Sequence, residues 1–180
     1  MIMTRFGPLV LLVTACWVVF GVNVLLFHGG LDQFGILPRQ SVGLPGIVCA
    51  PFLHHSLAHL IANTVPLLIL GAMLSAGGAA EFLGVTGLGI LLSGALVWLL
   101  ARPADHLGAS GLVFCYFGYL LARAWYRRTF GNLVLGAVCL VAYGGIWRGL
   151  IPNGGPVSWE SHLAGLLTGI ALARAAGPRR

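Results

Sequence analysis

Gly108-Ala109-Ser110-Gly111 runs directly into Leu112-Val113-Phe114-Cys115-Tyr116-Phe117-Gly118, a hydroxyl at the head of an apolar stretch. Further on, Ser161-His162-Leu163-Ala164-Gly165 opens a second such stretch, with Gly169 one helical turn beyond. A hydroxyl and an imidazole are costly in hydrocarbon, so ionisable groups placed there default to a functional reading. Together they are the minimum for an activated serine: an oxygen that attacks and a base that takes its proton.

Outward from these two segments, composition sets the class. The chain has 180 residues, 58% apolar and 8% charged, with mean hydropathy +0.95, whereas a soluble domain carries about 25% charged residues. Six apolar stretches follow one another: Pro8 to Phe27, Leu57 to Ala76, Phe82 to Ala101, Leu112 to Trp125, Gly131 to Trp147 and His162 to Ala176. Each is near the ~20 residues that a helix needs to cross ~30 Å of hydrocarbon, the fourth and sixth being the shortest. The expected fold is therefore all-α, a polytopic membrane protein of six transmembrane helices forming one domain over residues 1–180. The first stretch is longer than a signal-peptide core and no small-x-small cleavage site follows it, so it is expected to be a span.

Charge supplies an orientation. All ten basic residues are Arg. With the N- and C-termini cytoplasmic, Arg5, Arg123, Arg127, Arg128, Arg174, Arg179 and Arg180 fall inside and Arg39, Arg102 and Arg148 outside, which satisfies the positive-inside rule. The net charge of +6 is then a topology signal directed at anionic inner-leaflet lipid. It is no nucleic-acid footprint, which would need a basic patch outside the membrane. The inner arginines read as topology anchors. Asp105 and Glu160 read as solvated loop charges, His28 and His106 as interfacial, and His55 as a loop residue at headgroup level. Cys16, Cys49, Cys115 and Cys139 show no CxxC spacing, and no cofactor or metal is expected. The six stretches contain no acidic residue, which argues against a proton-coupled transporter.

Depth tests whether the polar residues can meet. From Arg123 up to Ser110, from Arg174 up to His162 and from Gly77 up to Asn63 the helical rise is about 18–21 Å, which leaves all three roughly 10 Å below the outer face. His59 lies one turn above Asn63 on the same helix face. His162, Gly165, Gly169 and Ala173 form one face, and Ser110, Phe114 and Gly118 form a matching one, so two helices with small residues in contact can bring imidazole over serine. Phe114 is placed to pack against that imidazole. Gly111 leaves room for a substrate backbone. Hydrolysis at this depth needs a water-filled cavity open to the outside.

With these residues in hand, the chain resembles the rhomboid intramembrane serine proteases of the small bacterial six-span type. The matching segments are His54-His55-Ser56-Leu57-Ala58-His59-Leu60-Ile61-Ala62-Asn63, Gly108-Ala109-Ser110-Gly111 and Ser161-His162-Leu163-Ala164-Gly165 with Gly169. The resemblance implies that Ser110 is the nucleophile and His162 its general base. It implies that His59 and Asn63, with the Ser110 amide, hold the oxyanion, and that His54 supports the structure. It also implies a bacterial plasma membrane and substrates that are transmembrane segments, cut near the outer face. The chain departs from the family pattern at Phe114, where Tyr is frequent, and at Ser161, where Gly or Ala is usual. In the first loop, Leu37-Pro38-Arg39 stands where many relatives carry a Trp-Arg pair. Two rival readings are a rhomboid-like protein that binds transmembrane clients without cutting them, and a haem- or metal-binding membrane protein using His59 and His162. The oligomeric state is open at this stage.

Overall fold

The computed structural model describes residues 2–152 and 157–177. Its helices are α1 (Ile2–Leu26), the short α2 (Gly46–Cys49), α3 (Leu57–Ser75), α4 (Ala79–Leu100), α5 (Ser110–Arg127), α6 (Phe130–Tyr143) and α7 (Trp159–Ala175), with short 3-10 turns between them. Among the described residues there is no strand, only an isolated bridge between Ile36 and His106. The fold is all-helical.

Side-chain oxygens start three of the long helices by accepting otherwise unpartnered first-turn amides. Ser56 takes the His59 amide for α3, Thr129 the Asn132 amide for α6, and Ser158 the Ser161 amide for α7. Ala109 offers no such cap to α5, so the amides at the head of that helix stay open. α1 begins six residues before the expected Pro8, because a helix continues past the apolar window that sets its span. α6 ends at Tyr143 instead of Trp147: Gly144-Gly145 favours a tighter 3-10 turn from Gly144 to Leu150.

Of the six long helices, four segments are long and apolar enough to cross a membrane: Arg5–Leu26, Leu57–Ser75, Ala79–Leu100 and Phe130–Leu150. α5 carries Arg123 and Arg127, and α7 is 17 residues long, so neither reaches that standard. Position explains the difference. Leu112 to Leu120 of α5 are buried without a break, in contact with α3, α4, α6 and α7. A helix enclosed by protein need not be apolar along its whole length. By contrast α6 buries only Gly136 and Cys139, and its Val141 is 88% exposed. Apolar faces of α1, α4 and α6 on this scale belong in hydrocarbon. The protein is an integral membrane protein.

Two ties hold the ends of the bundle. Away from Ser110, Glu81 in the first turn of α4 accepts from Tyr119 Oη at 2.5 Å and Arg127 Nη1 at 3.0 Å, and Arg123 Nη1 lies 3.4 Å away. Arg123 and Arg127, expected as topology anchors, are therefore buried partners of a carboxylate that joins α4 to α5. Arg174 lies in the last turn of α7, while Arg179 and Arg180 fall outside the described residues. At the opposite end, the Arg39 guanidinium donates to the carbonyls of Leu99 and Ala101. A cation there satisfies the unpaired carbonyls that end α4. This is the physical content of Leu37-Pro38-Arg39: it straps the first loop over α4.

Candidate active site

Ser110 is the first residue of α5, and His162 lies in the first turn of α7. A seam of glycines brings these two helices together. A Cβ on Gly165 would strike the Gly111 carbonyl oxygen, and one on Gly169 would strike that of Cys115. Each side is backbone, so only glycine permits the approach. At the top of the seam, His162 Nε2 lies 2.9 Å from Ser110 Oγ. Its other nitrogen, Nδ1, is 2.8 Å from the Gly149 carbonyl. A carbonyl only accepts, so Nδ1 carries the proton and the Nε2 lone pair faces the serine. Phe114 stacks on the imidazole at 4.3 Å between centroids and 9° between planes. This is the packing expected from the helix faces.

The Gly149 carbonyl has no counterpart in the sequence reading, which left the orientation of His162 to packing alone. It is a main-chain atom of the 3-10 turn after α6, with no side chain to announce it. Gly149 also has to be small: a Cβ there would come within 2.9 Å of His162 Nδ1 and 3.0 Å of the Phe114 ring. With Nδ1 anchored on the carbonyl and the Nε2 lone pair directed at the hydroxyl, His162 has the geometry of a base for Ser110.

A cavity of about 390 Å³ opens over the pair, lined by His55, Ser56, His59, Asn63, Asp105, Leu107, Ser110, Val157, Ser158 and His162. The three residues expected at one depth thus line one pocket, with His59 beside them. Gly108 has φ +110°, a left-handed conformation that disfavours side chains, and a Cβ there would fall 2.7 Å from the His59 ring and 3.5 Å from Asn63 Nδ2. Both side chains therefore sit against the backbone that leads into Ser110. Gly111 faces the Ser161 carbonyl, 3.3 Å from where its Cβ would be, so its smallness serves the fit to α7. This differs from the expected approach of a substrate.

His54 is buried and its Nε2 accepts from the Ala109 amide at 3.4 Å, which fits the supporting place expected of it. Burial, with the neighbouring His59 next, pushes its pKa down to about 4. The ring is therefore neutral at physiological pH and keeps the lone pair that the amide needs. His55 is more than a loop residue: it pairs with Asp32 at 3.1 Å and lines the pocket. Asp105 is exposed, as read from the sequence, whereas Glu160 is largely covered and lies 3.3 Å from Arg102. His106, read as interfacial, is 1% exposed.

Comparison with known proteins agrees with this architecture. Residues 43–179 match the model of the Rhomboid domain family. Uncharacterized proteins of Mycobacterium bovis and Mycobacterium tuberculosis are 37% identical to the chain, over 87% of it and 75% of their own length. One from Mycobacterium leprae is 35% identical over 87% of the chain and 71% of its own. The chain belongs to the rhomboid family.

Proposed function

We propose that this rhomboid-family protein is an intramembrane serine endopeptidase that cuts transmembrane segments of membrane proteins near the outer face. The observation that carries the reading is the approach of Ser110 Oγ to His162 Nε2 at 2.9 Å, with Nδ1 anchored on Gly149. Nε2 takes the hydroxyl proton as Oγ bonds to the scissile carbonyl carbon. The imidazolium then returns that proton to the leaving amine as the C–N bond breaks. Water hydrolyses the resulting ester by the same route, and Ser110 regains its proton. The six long helices act as one domain over residues 1–180 and as six spans, in a bacterial plasma membrane with both termini cytoplasmic. The pocket opens outward, to water and to substrate.

A fluorophosphonate probe tests the nucleophile. Wild type should be labelled on Ser110 and Ser110→Ala should not. Equal labelling of the two would remove Ser110 from the mechanism. Absence of labelling in both would favour the client-binding reading.

The developing oxyanion has three donors in this proposal: the open Ser110 amide at the head of α5, His59 and Asn63. Losing one preorganised donor typically costs ~100- to 1000-fold in turnover. Asn63→Ala and His59→Ala are each expected to fall in that range while still reacting with the probe, because the Ser110–His162 pair stays intact. Donors that share one oxygen are not additive, so the double variant should lose less than the product of the single losses. Single variants that cleave at wild-type rate would place the oxyanion elsewhere.

A further inference from the structure

His106 stands four residues before Ser110 and takes no part in the reaction above. It is nevertheless buried, and each of its polar groups has a partner. Its backbone exchanges hydrogen bonds with Ile36 in the first loop, at 2.9 and 3.0 Å. Its Nε2 lies 3.0 Å from the Arg102 carbonyl, an acceptor only, so Nε2 carries the proton and Nδ1 the lone pair. Ser158 Oγ, 2.6 Å from Nδ1, must therefore donate to it. Ser158 Oγ has two acceptor sites left, and both are taken by the first turn of α7: the Ser161 hydroxyl at 2.6 Å and the Ser161 amide at 3.2 Å. One carbonyl thus sets the direction of a chain of bonds that ends one residue before His162.

We propose that His106 is a positioning residue for the Ser110–His162 pair, an inference that rests on the function proposed above. It acts through Ser158 and Ser161 to set where the first turn of α7 stands relative to the Gly108–Ser110 segment. The glycine seam sets the separation of α5 and α7 below the pair, and the contacts of His162 with Gly149 and Phe114 hold the ring itself. His106 adds a tie on the backbone of the same turn, because it joins the first loop, the segment after α4 and the Ser158 cap of α7. Arg102 reaches the same turn through Glu160 and the Val157 carbonyl at 3.1 Å. Its side chain is 34% exposed, and an ion pair so wetted holds a geometry weakly. Ser161, which departs from the small residue usual before the histidine, thereby acquires a use: its hydroxyl closes the chain.

The test compares full-length wild type with His106→Phe, His106→Asn, Ser158→Ala and the double variant His106→Phe/Ser158→Ala. It measures kcat and KM on a single-span substrate and the labelling rate by a fluorophosphonate, which needs no substrate docking. Phenylalanine keeps the ring volume without the acceptor, whereas asparagine places a carbonyl oxygen where Nδ1 stands. His106→Phe should lower kcat and labelling rate together by about 100-fold, the scale of a small misplacement of reacting groups, with KM unchanged. His106→Asn should recover most of that loss, which a merely space-filling role would not allow. Ser158→Ala should match His106→Phe, and the double variant should lose no more than either.

Labelling of His106→Phe at wild-type rate would overturn the proposal, as would Asn faring no better than Phe. Losses that multiply in the double variant would do the same. If His106→Phe does not fold, Ser158→Ala decides alone, and a wild-type rate there is fatal. Wild type that fails to label at Ser110 would end the parent reading and this one with it. Normal wild-type labelling with an indifferent His106 would end this one alone.

Discussion

Replacing His162 with alanine is expected to lower turnover by ~10⁶-fold, about the loss caused by removing Ser110 itself. The reason is that, in the proposed function, the pair works as a unit. A serine hydroxyl is a poor nucleophile until a base takes its proton during attack, and the Nε2 lone pair is aimed at Ser110 Oγ from 2.9 Å. The Phe114 stack and the Gly149 carbonyl hold the ring in that pose. Once the imidazole is gone, the serine has no acceptor, and the oxyanion donors have little developing charge to stabilise. Ser110→Ala/His162→Ala should then be no slower than either single variant. The measurement is kcat on a single-span substrate in detergent. Turnover of His162→Ala near that of wild type would put the base elsewhere in the pocket.

Gly165→Val is expected to abolish cleavage while the protein still inserts. The first atom added at Gly165 would collide with the Gly111 carbonyl oxygen and would lie 2.9 Å from the Gly111 carbonyl carbon and 3.2 Å from the Cys115 amide nitrogen. These are backbone atoms of α5, which cannot rotate aside, so α7 has to move bodily away. His162 sits one turn above and moves with it. A misplacement of about 1 Å already costs ~100-fold, and valine asks for more. The proper control is Gly87→Val on α4, where an added Cβ meets nothing within 4 Å. That variant should cut at wild-type rate. Membrane-fraction yield and thermal stability in detergent separate loss of reactivity from loss of fold. A Gly165→Val protein as active as wild type would sink the seam as the device that aligns the pair.

The helix positions were legible because hydrophobic length is a one-dimensional property, readable without knowing what each helix touches. Ser110, His162 and Asn63 could be brought to one depth for the same reason, since rise per residue is constant and arginines mark one surface. The Phe114 stack followed from helix periodicity. Properties that depend on contacts distant in sequence were not legible. Arg123 and Arg127 looked like membrane anchors because Glu81 stands one residue outside its apolar stretch, and nothing local says that it meets α5. His106 follows directly on Arg102-Pro103-Ala104-Asp105, a segment that reads as an exposed loop. Its burial comes from Ile36 and Ser158, far away along the chain. α5 and α7 fall short of a free-standing span because α5 is enclosed by other helices, a fact of packing that no window average contains.

On the proposed mechanism, the Gly149 carbonyl carries a consequence for how such a protein would lose activity in evolution. Where a carboxylate orients the base, one substitution deletes it and leaves a visible scar. Here the orienting atom belongs to the main chain, and every amino acid at position 149 would still possess it. Substitution acts only through bulk, since any Cβ there presses on His162 and Phe114. The orienter is lost instead when the 144–152 segment changes length or path and the carbonyl turns away. A descendant altered in that way would keep its serine, both site histidines and all its glycines, and every motif would declare it active. Its imidazole would be free to spin, and silence would have come from a loop that carries no catalytic side chain.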